Sequence, residues 1–150
     1  MLFLKIGIVA ALLSSVSVSA QAGVAFSKLK GPGVIKITAR QIQPQVRGTK
    51  AGAVELTRFG LYNTRITEKP IGHGELVCTY VGIRRIRNCT GSFTLPRGQI
   101  VVGGTIGSRD SYVLAVLGGT RIYNNVRGAL TVTSLRANPP AYLLLFRLVV

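Results

Sequence analysis

From residue 33 onward the chain alternates. In Val34-Ile35-Lys36-Ile37-Thr38-Ala39-Arg40 the apolar Ile35, Ile37 and Ala39 interleave with Lys36, Thr38 and Arg40. A period of two is that of a strand with one buried and one wet face. Beyond residue 30 no stretch repeats with a helical period, whereas β-branched and aromatic residues recur in short runs cut by Gly, Pro and Asn. The runs predict strands over 33–42, 53–63, 71–82, 86–95, 98–106, 111–118, 127–135 and 141–149. Leu95-Pro96-Arg97-Gly98 supplies a tight reversal, Asn138-Pro139-Pro140 cannot continue a ladder, and Gly118-Gly119 and Asn124-Asn125 tolerate positive φ. The last run, Tyr142 to Val150, is apolar on both faces, as expected of a strand covered on both sides or one that seals a barrel. The expected fold is all-β: a closed or nearly closed eight-stranded antiparallel barrel, a size filled by side chains or able to hold one small ligand.

The first 20 residues fall outside this pattern. Lys5 precedes the apolar run Ile6 to Leu13, and Val18-Ser19-Ala20 offers small residues to a signal peptidase, with Ala20-Gln21-Ala22 an equally acceptable frame. The run is much shorter than the roughly 20 residues of a membrane-spanning helix. The expected organisation is a signal peptide over 1–20, an N-terminal arm over 21–32 and a barrel domain over 33–150, in a secreted or periplasmic protein without a transmembrane segment in its mature part.

Charge adds an expectation about partners. The full chain carries 19 Lys and Arg against 4 Asp and Glu, net +15. Removal of 1–20 takes away only Lys5. Thirteen of the basic residues are Arg, whose planar fork suits phosphate and carboxylate groups. Export makes an anionic envelope surface or polymer a better partner than nucleic acid, which is not expected. The densest cluster is Arg84, Arg85 and Arg87.

Two cysteines, Cys78 and Cys89, in a short exported chain imply one bridge, worth about 3 kcal/mol for a loop of this length. No metal and no cofactor is expected: two thiols and the single His73 do not make a tetrahedral site. Gly103-Gly104-Thr105-Ile106-Gly107 and Gly118-Gly119-Thr120 open no helix and precede no Lys-Ser or Lys-Thr pair, which argues against a phosphate loop. With one His and no Gly-x-Ser-x-Gly elbow, nucleophilic catalysis has no marked residues.

Cys78, the run Cys89 to Gly104 containing Leu95-Pro96-Arg97-Gly98-Gln99-Ile100, then Gly118-Gly119-Thr120-Arg121-Ile122-Tyr123 and Arg127-Gly128 resemble the allene oxide cyclase-like and dirigent-like barrel families, in the form of a bacterial-type secreted member. The likeness runs from about Gly48 to Leu135. In those families a Leu-Pro-x-Gly-x-Ile strand end leads to a second strand, and a Gly-Gly-Thr-Gly turn is closely followed by Arg-Gly. Two departures matter. The fourth turn position is Arg121, which costs little if its backbone angle is ordinary. The Gly-Asp pair that often enters strand two is here Gly52-Ala53, so its carboxylate is absent.

The carboxylates of the mature chain are therefore Glu55, Glu68, Glu75 and Asp110. Acid and base catalysis by carboxylates needs two that converge with separated pKa values. Glu55 is the best placed catalytic candidate, because alternation puts it on one face with Ala53, Thr57 and Phe59, a face that could be the lumen. For each carboxylate an ion pair with one of the many Arg residues competes with catalysis. Candidate ligand-binding residues are Tyr123, Arg127, His73 and Glu55. Tyr123 can also fold back as a plug at the barrel rim, and Arg127 can satisfy carbonyls of its turn.

Three functions follow as expectations. The first is a dirigent-like barrel that binds a small apolar or amphipathic molecule without necessarily transforming it. A cyclase or isomerase of the same fold is the second. The third is a basic protein that holds anionic envelope polymers through Arg84, Arg85 and Arg87. The resemblance also implies a homo-oligomer, since plant relatives form trimers.

Overall fold

The computed structural model describes residues 33–46, 50–63, 69–82, 86–135 and 137–149. The expected signal peptide and arm, Glu68, Arg84 and Arg85 lie outside the described residues. Eight strands follow in order: β1 (Val34–Val46), β2 (Val54–Tyr62), β3 (Gly72–Tyr80), β4 (Arg87–Leu95), β5 (Gly98–Ile106), β6 (Ser111–Gly119), β7 (Arg127–Ser134) and β8 (Ala141–Val149). Each pairs antiparallel with its neighbour in sequence, and β8 pairs with β1, so the meander closes into a barrel without an edge. The doubly apolar run at the end of the chain is that closing strand. Tyr142, Leu144, Phe146 and Leu148 alternate with Leu143 and Leu145, and the second pair is only half-buried on the outer face.

Strand limits agree with the alternation to within two residues except in β1, which runs four residues beyond the expected end. The reason is a bulge. Gln41 pairs with Phe59 and Gln43 with Arg58, leaving Ile42 as the extra residue. β1 pairs with β8 only from Val34 to Arg40, so Pro44 sits past the last β8 partner and its missing N–H interrupts no ladder on that side.

Two ends follow from the topology. The connections β1–β2, β3–β4, β5–β6 and β7–β8 lie at one, here the open end. The connections β2–β3, β4–β5 and β6–β7 lie at the other, the plugged end. There the β6–β7 connection forms a short 3-10 turn, η1 (Arg121–Tyr123), which buries Ile122 and Tyr123. Gly128 permits the close packing of β7 on β8: at φ 140° a Cβ would stand 1.9 Å from the Arg147 carbonyl oxygen. That gives the Arg-Gly step a steric cause.

Inward positions between the two ends are packed solid. Phe93 stacks on Phe59 at 6.4 Å between centroids and meets the edge of Phe146 at 5.5 Å. Leu61, Ile100, Val102, Leu114 and Leu130 fill the remaining space and are almost wholly enclosed. Such burial of large apolar side chains is the main stabilising term of a small barrel. The disulfide adds to it, joining the directly paired Cys78 and Cys89 on the lumenal face of β3 and β4.

Candidate functional site

Above the aromatic layer, at the open end, the lumen is not filled. A cavity of about 220 Å³ remains, with Phe59, Leu76 and Cys78 at its base and Gln41, Thr57, Tyr112 and Tyr142 among its walls. Glu55 and Arg87 reach into it, and Arg109 and Asp110 line it from the β5–β6 connection. The strand period dictates who arrives there. Glu55 stands on the same face as Thr57 and Phe59, opposite Cys78, and Arg87 stands two residues from the lumenal Cys89.

Glu55 is the electrostatic centre. Its Oε2 accepts a hydrogen bond from Arg87 Nη1 at 2.6 Å and a second from the Tyr80 hydroxyl at 3.1 Å. Thr57 Oγ1 donates to Oε1 over a long 3.5 Å. The two charged side chains are only 15% and 23% exposed, so neither would be tolerated there alone. The Arg87 guanidinium also lies over the Tyr80 ring, 5.7 Å from its centroid. Burial opposes the charged guanidinium, but the hydrogen bond and charge of Glu55 outweigh it and raise the Arg87 pKa.

Two tyrosines complete the wall. Burial, with contributions from Tyr142 and Glu55 against an opposing one from Arg87, pushes the Tyr112 hydroxyl up to about 12. Tyr142 is raised as well, by burial and by Glu55, again opposed by Arg87. Both phenols are therefore protonated donors at any ordinary pH. Tyr142 donates to Gln41 Oε1 at 3.4 Å, and its ring meets the edge of Phe59 at 5.7 Å. The cavity is thus a mainly polar cup over an apolar base, with a fixed ion pair, a carboxylate oxygen only weakly engaged at Oε1, and phenolic donors. It can orient a small molecule through hydrogen bonds, and it offers a base in Glu55.

The other candidates do not converge on Glu55. His73 lies on the exposed outer face of β3, and Glu75 on that face pairs with Arg58 at 3.2 Å. Tyr123 is at the plugged end, where it lines an open groove of about 380 Å³ together with Ile35, Ile71, Leu95 and Pro96. Burial raises its pKa against the influence of Arg97. Arg127 donates from Nη1 to the Val126 carbonyl at 3.0 Å, within its own turn. Arg87, grouped by sequence with Arg84 and Arg85, turns into the lumen instead of standing on the outer surface. Arg121 has φ 55°, so the angle at the fourth position of the Gly118-Gly119-Thr120-Arg121 turn is left-handed and not ordinary.

Sequence reasoning did not single out Tyr80, Tyr112, Tyr142 or the inward direction of Arg87. The available signal was parity. Once Cys78 and Cys89 face the lumen, Tyr80 and Arg87 must follow, and Tyr112 and Tyr142 share faces with Leu114 and Leu144.

Among the described residues no three His, Cys, Asp or Glu gather as metal ligands. No helix among them is long and apolar enough to cross a membrane. No known family profile matches the chain, and no curated protein is similar to it in sequence. Solved structures do match. A pyocyanin demethylase superposes with a TM-score of 0.66 at 18% identity, over 77% of this chain and 99% of its own. A pterocarpan synthase dirigent protein gives 0.66 at 8% identity, over 89% and 98%. A nonspecific heme-binding cyclase that catalyses a [4 + 2] cycloaddition gives 0.62 at 13% identity, over 79% and 66%. With closed eight-stranded topology in hand, the chain has the barrel fold shared by dirigent proteins and barrel cyclases.

Proposed function

We propose that this protein is an exported binding barrel that takes a small apolar or amphipathic molecule into the open-end cavity. One observation carries the reading. In a lumen otherwise packed solid, the unfilled volume coincides with the polar cluster of Glu55, Arg87, Tyr112 and Tyr142. Convergent polar groups above the apolar base of Phe59 and Leu76 offer a small molecule both hydrogen bonds and apolar contact, the two elements of a small-molecule site. A merely structural ion pair needs no void beside it. The oxidised Cys78–Cys89 pair supports export into a non-reducing compartment, since such bridges are rare in the cytosol.

A second reading, a cyclase or isomerase, is favoured by the weakly engaged Oε1 of Glu55 beside a protonated Tyr112. The first is tested by native mass spectrometry of protein purified from its own host. A non-covalently bound mass is expected on the parent and absent from Thr57→Phe, which fills the cavity. Indistinguishable spectra for parent and variant would remove the proposal. Catalysis is separated from binding by Glu55→Gln, which in the second reading keeps the bound mass but no longer converts it.

A further inference from the structure

We infer that the ligand is elongated: a small uncharged polar head lodges beside Glu55 and Tyr112, and an apolar tail leaves through the mouth to lie in the groove between β5 and β6. This rests on the reading of the cavity as a binding site and adds the shape and charge of what it holds.

The first support is continuity. A groove of about 480 Å³ runs along the outer side of the open end, bordered by Ile86, Thr105, Ser111 and Val113. Ile106, Arg109 and Tyr112 line both this groove and the cavity, and the β5–β6 ladder stops at the Gly103–Ala115 pair, so the two strands part toward the open end beside the cavity mouth. Size is the second. A void of about 150 Å³ holds one benzene ring, and ordinary ligand pockets begin near 300 Å³. At about 220 Å³ the cavity has room for one ring with a short substituent. A ligand with enough surface to bind firmly must extend outside.

The third support is the change of chemistry along the path. Inside, the carboxylates of Glu55 and Asp110 are matched by the guanidiniums of Arg87 and Arg109, so the lining is balanced in charge although the chain is +15. A balanced lining does not select an ion. It offers hydrogen bonds, accepted at Glu55 Oε1 and donated by Tyr112, which suit a neutral hydroxyl or carbonyl. Outside, Ile86 and Val113 are 39% and 57% exposed. Val54, Val81 and Leu135 are further exposed apolar side chains on the same end. Apolar surface beside the mouth of a polar cavity fits the tail of an amphipathic molecule.

The test is calorimetric titration of the mature protein with 4-alkylbenzyl alcohols carrying methyl, propyl and pentyl tails, in parallel with the corresponding 4-alkylbenzoates. In the parent each added methylene should raise the affinity about threefold to fourfold, the gain for burying that group. In Val113→Asp and in Ile86→Asp the gain should fall below about 1.5-fold per methylene, while the methyl compound binds as in the parent. An unchanged chain-length dependence in both variants would overturn the groove and leave the cavity reading standing. Benzoates binding more tightly than the matching alcohols would overturn the uncharged head. If no alcohol binds at any tail length, the binding-site reading falls with the inference.

Discussion

The two ends of this barrel are finished by different chemistry. At the plugged end the chain closes on itself through backbone: η1 folds Ile122 and Tyr123 under the rim, Thr120 N–H donates to the Gln99 carbonyl at 2.9 Å, and β7 meets β8 where Gly128 leaves no room for a side chain. At the open end closure is left to side chains that do not fill the space, and an ion pair and phenols stand around a void. Tight backbone contact gives one permitted arrangement. Side chains around a void can exchange their partners for those of a guest, which is what a binding site requires.

The largest effect should come from challenging the tight end. Gly128→Ala adds one methyl, but its Cβ would overlap the Arg147 carbonyl, and φ 140° is disfavoured for any residue with a side chain. A loss of about 3 kcal/mol or more is expected in urea unfolding, because backbone and not a flexible side chain must yield. A loss below about 1 kcal/mol would show that the β7–β8 contact yields easily, and the contrast between the ends would then fail.

At the open end a smaller change should appear, and only at alkaline pH. Tyr112 sits at about 12 in the folded chain, whereas a tyrosine in the unfolded chain titrates near 10. Below pH 10 the phenol is protonated in both states, so its full contribution is present. As pH rises from 10 through 12 the unfolded chain gives up the proton first, and stability falls by about 2 kcal/mol. Tyr142 and Tyr123, also raised, add to the decline. Tyr112→Phe removes its own share, so the difference between parent and variant should be flat from pH 7 to 9.5 and then close by about 2 kcal/mol. Parallel curves throughout would mean that the hydroxyl is hydrated in the folded protein.

The contrast between ends also explains what could be read beforehand. The plugged end was legible because its constraints fall on backbone, and backbone constraints leave local marks: Pro96 with Gly98, the Gly118-Gly119 pair and the Arg127-Gly128 step are each short local motifs. Strand limits were legible for a similar reason, since a half-buried strand writes its face into every second residue. The cavity has no such signature. Glu55, Arg87, Tyr112 and Tyr142 come from four strands and meet only through register. Placing Glu55 among lumenal residues was within reach of alternation. Its partner was within reach through the parity that ties Arg87 to Cys89, but Arg84-Arg85-Ile86-Arg87 reads first as a surface cluster. β1 runs past its expected end at 42, since a bulge at Ile42 carries it through Pro44, a residue that ordinarily ends a strand.

The smallest expected effect returns to the plugged end, to Arg121, which with Asn125 is one of two residues in the β6–β7 connection that hold a left-handed angle without being glycine. Arg121 adopts φ 55°, a left-handed angle that costs a residue with a Cβ about 1 kcal/mol or somewhat more, and it is exposed. Glycine relieves that strain but gains freedom in the unfolded chain, which offsets part of the benefit. Arg121→Gly should therefore stabilise by about 0.5 kcal/mol, a rise in Tm of roughly 2–4 °C for a domain of this size. Removing a cation from a chain of net charge +15 would also stabilise it, so the charge needs its own control. Arg121→Ala removes the same charge and keeps the Cβ. If strain is the cause, glycine raises Tm and alanine does not. Equal gains would assign the effect to charge, and the left-handed turn would then no longer count as a fault in an otherwise glycine-built end.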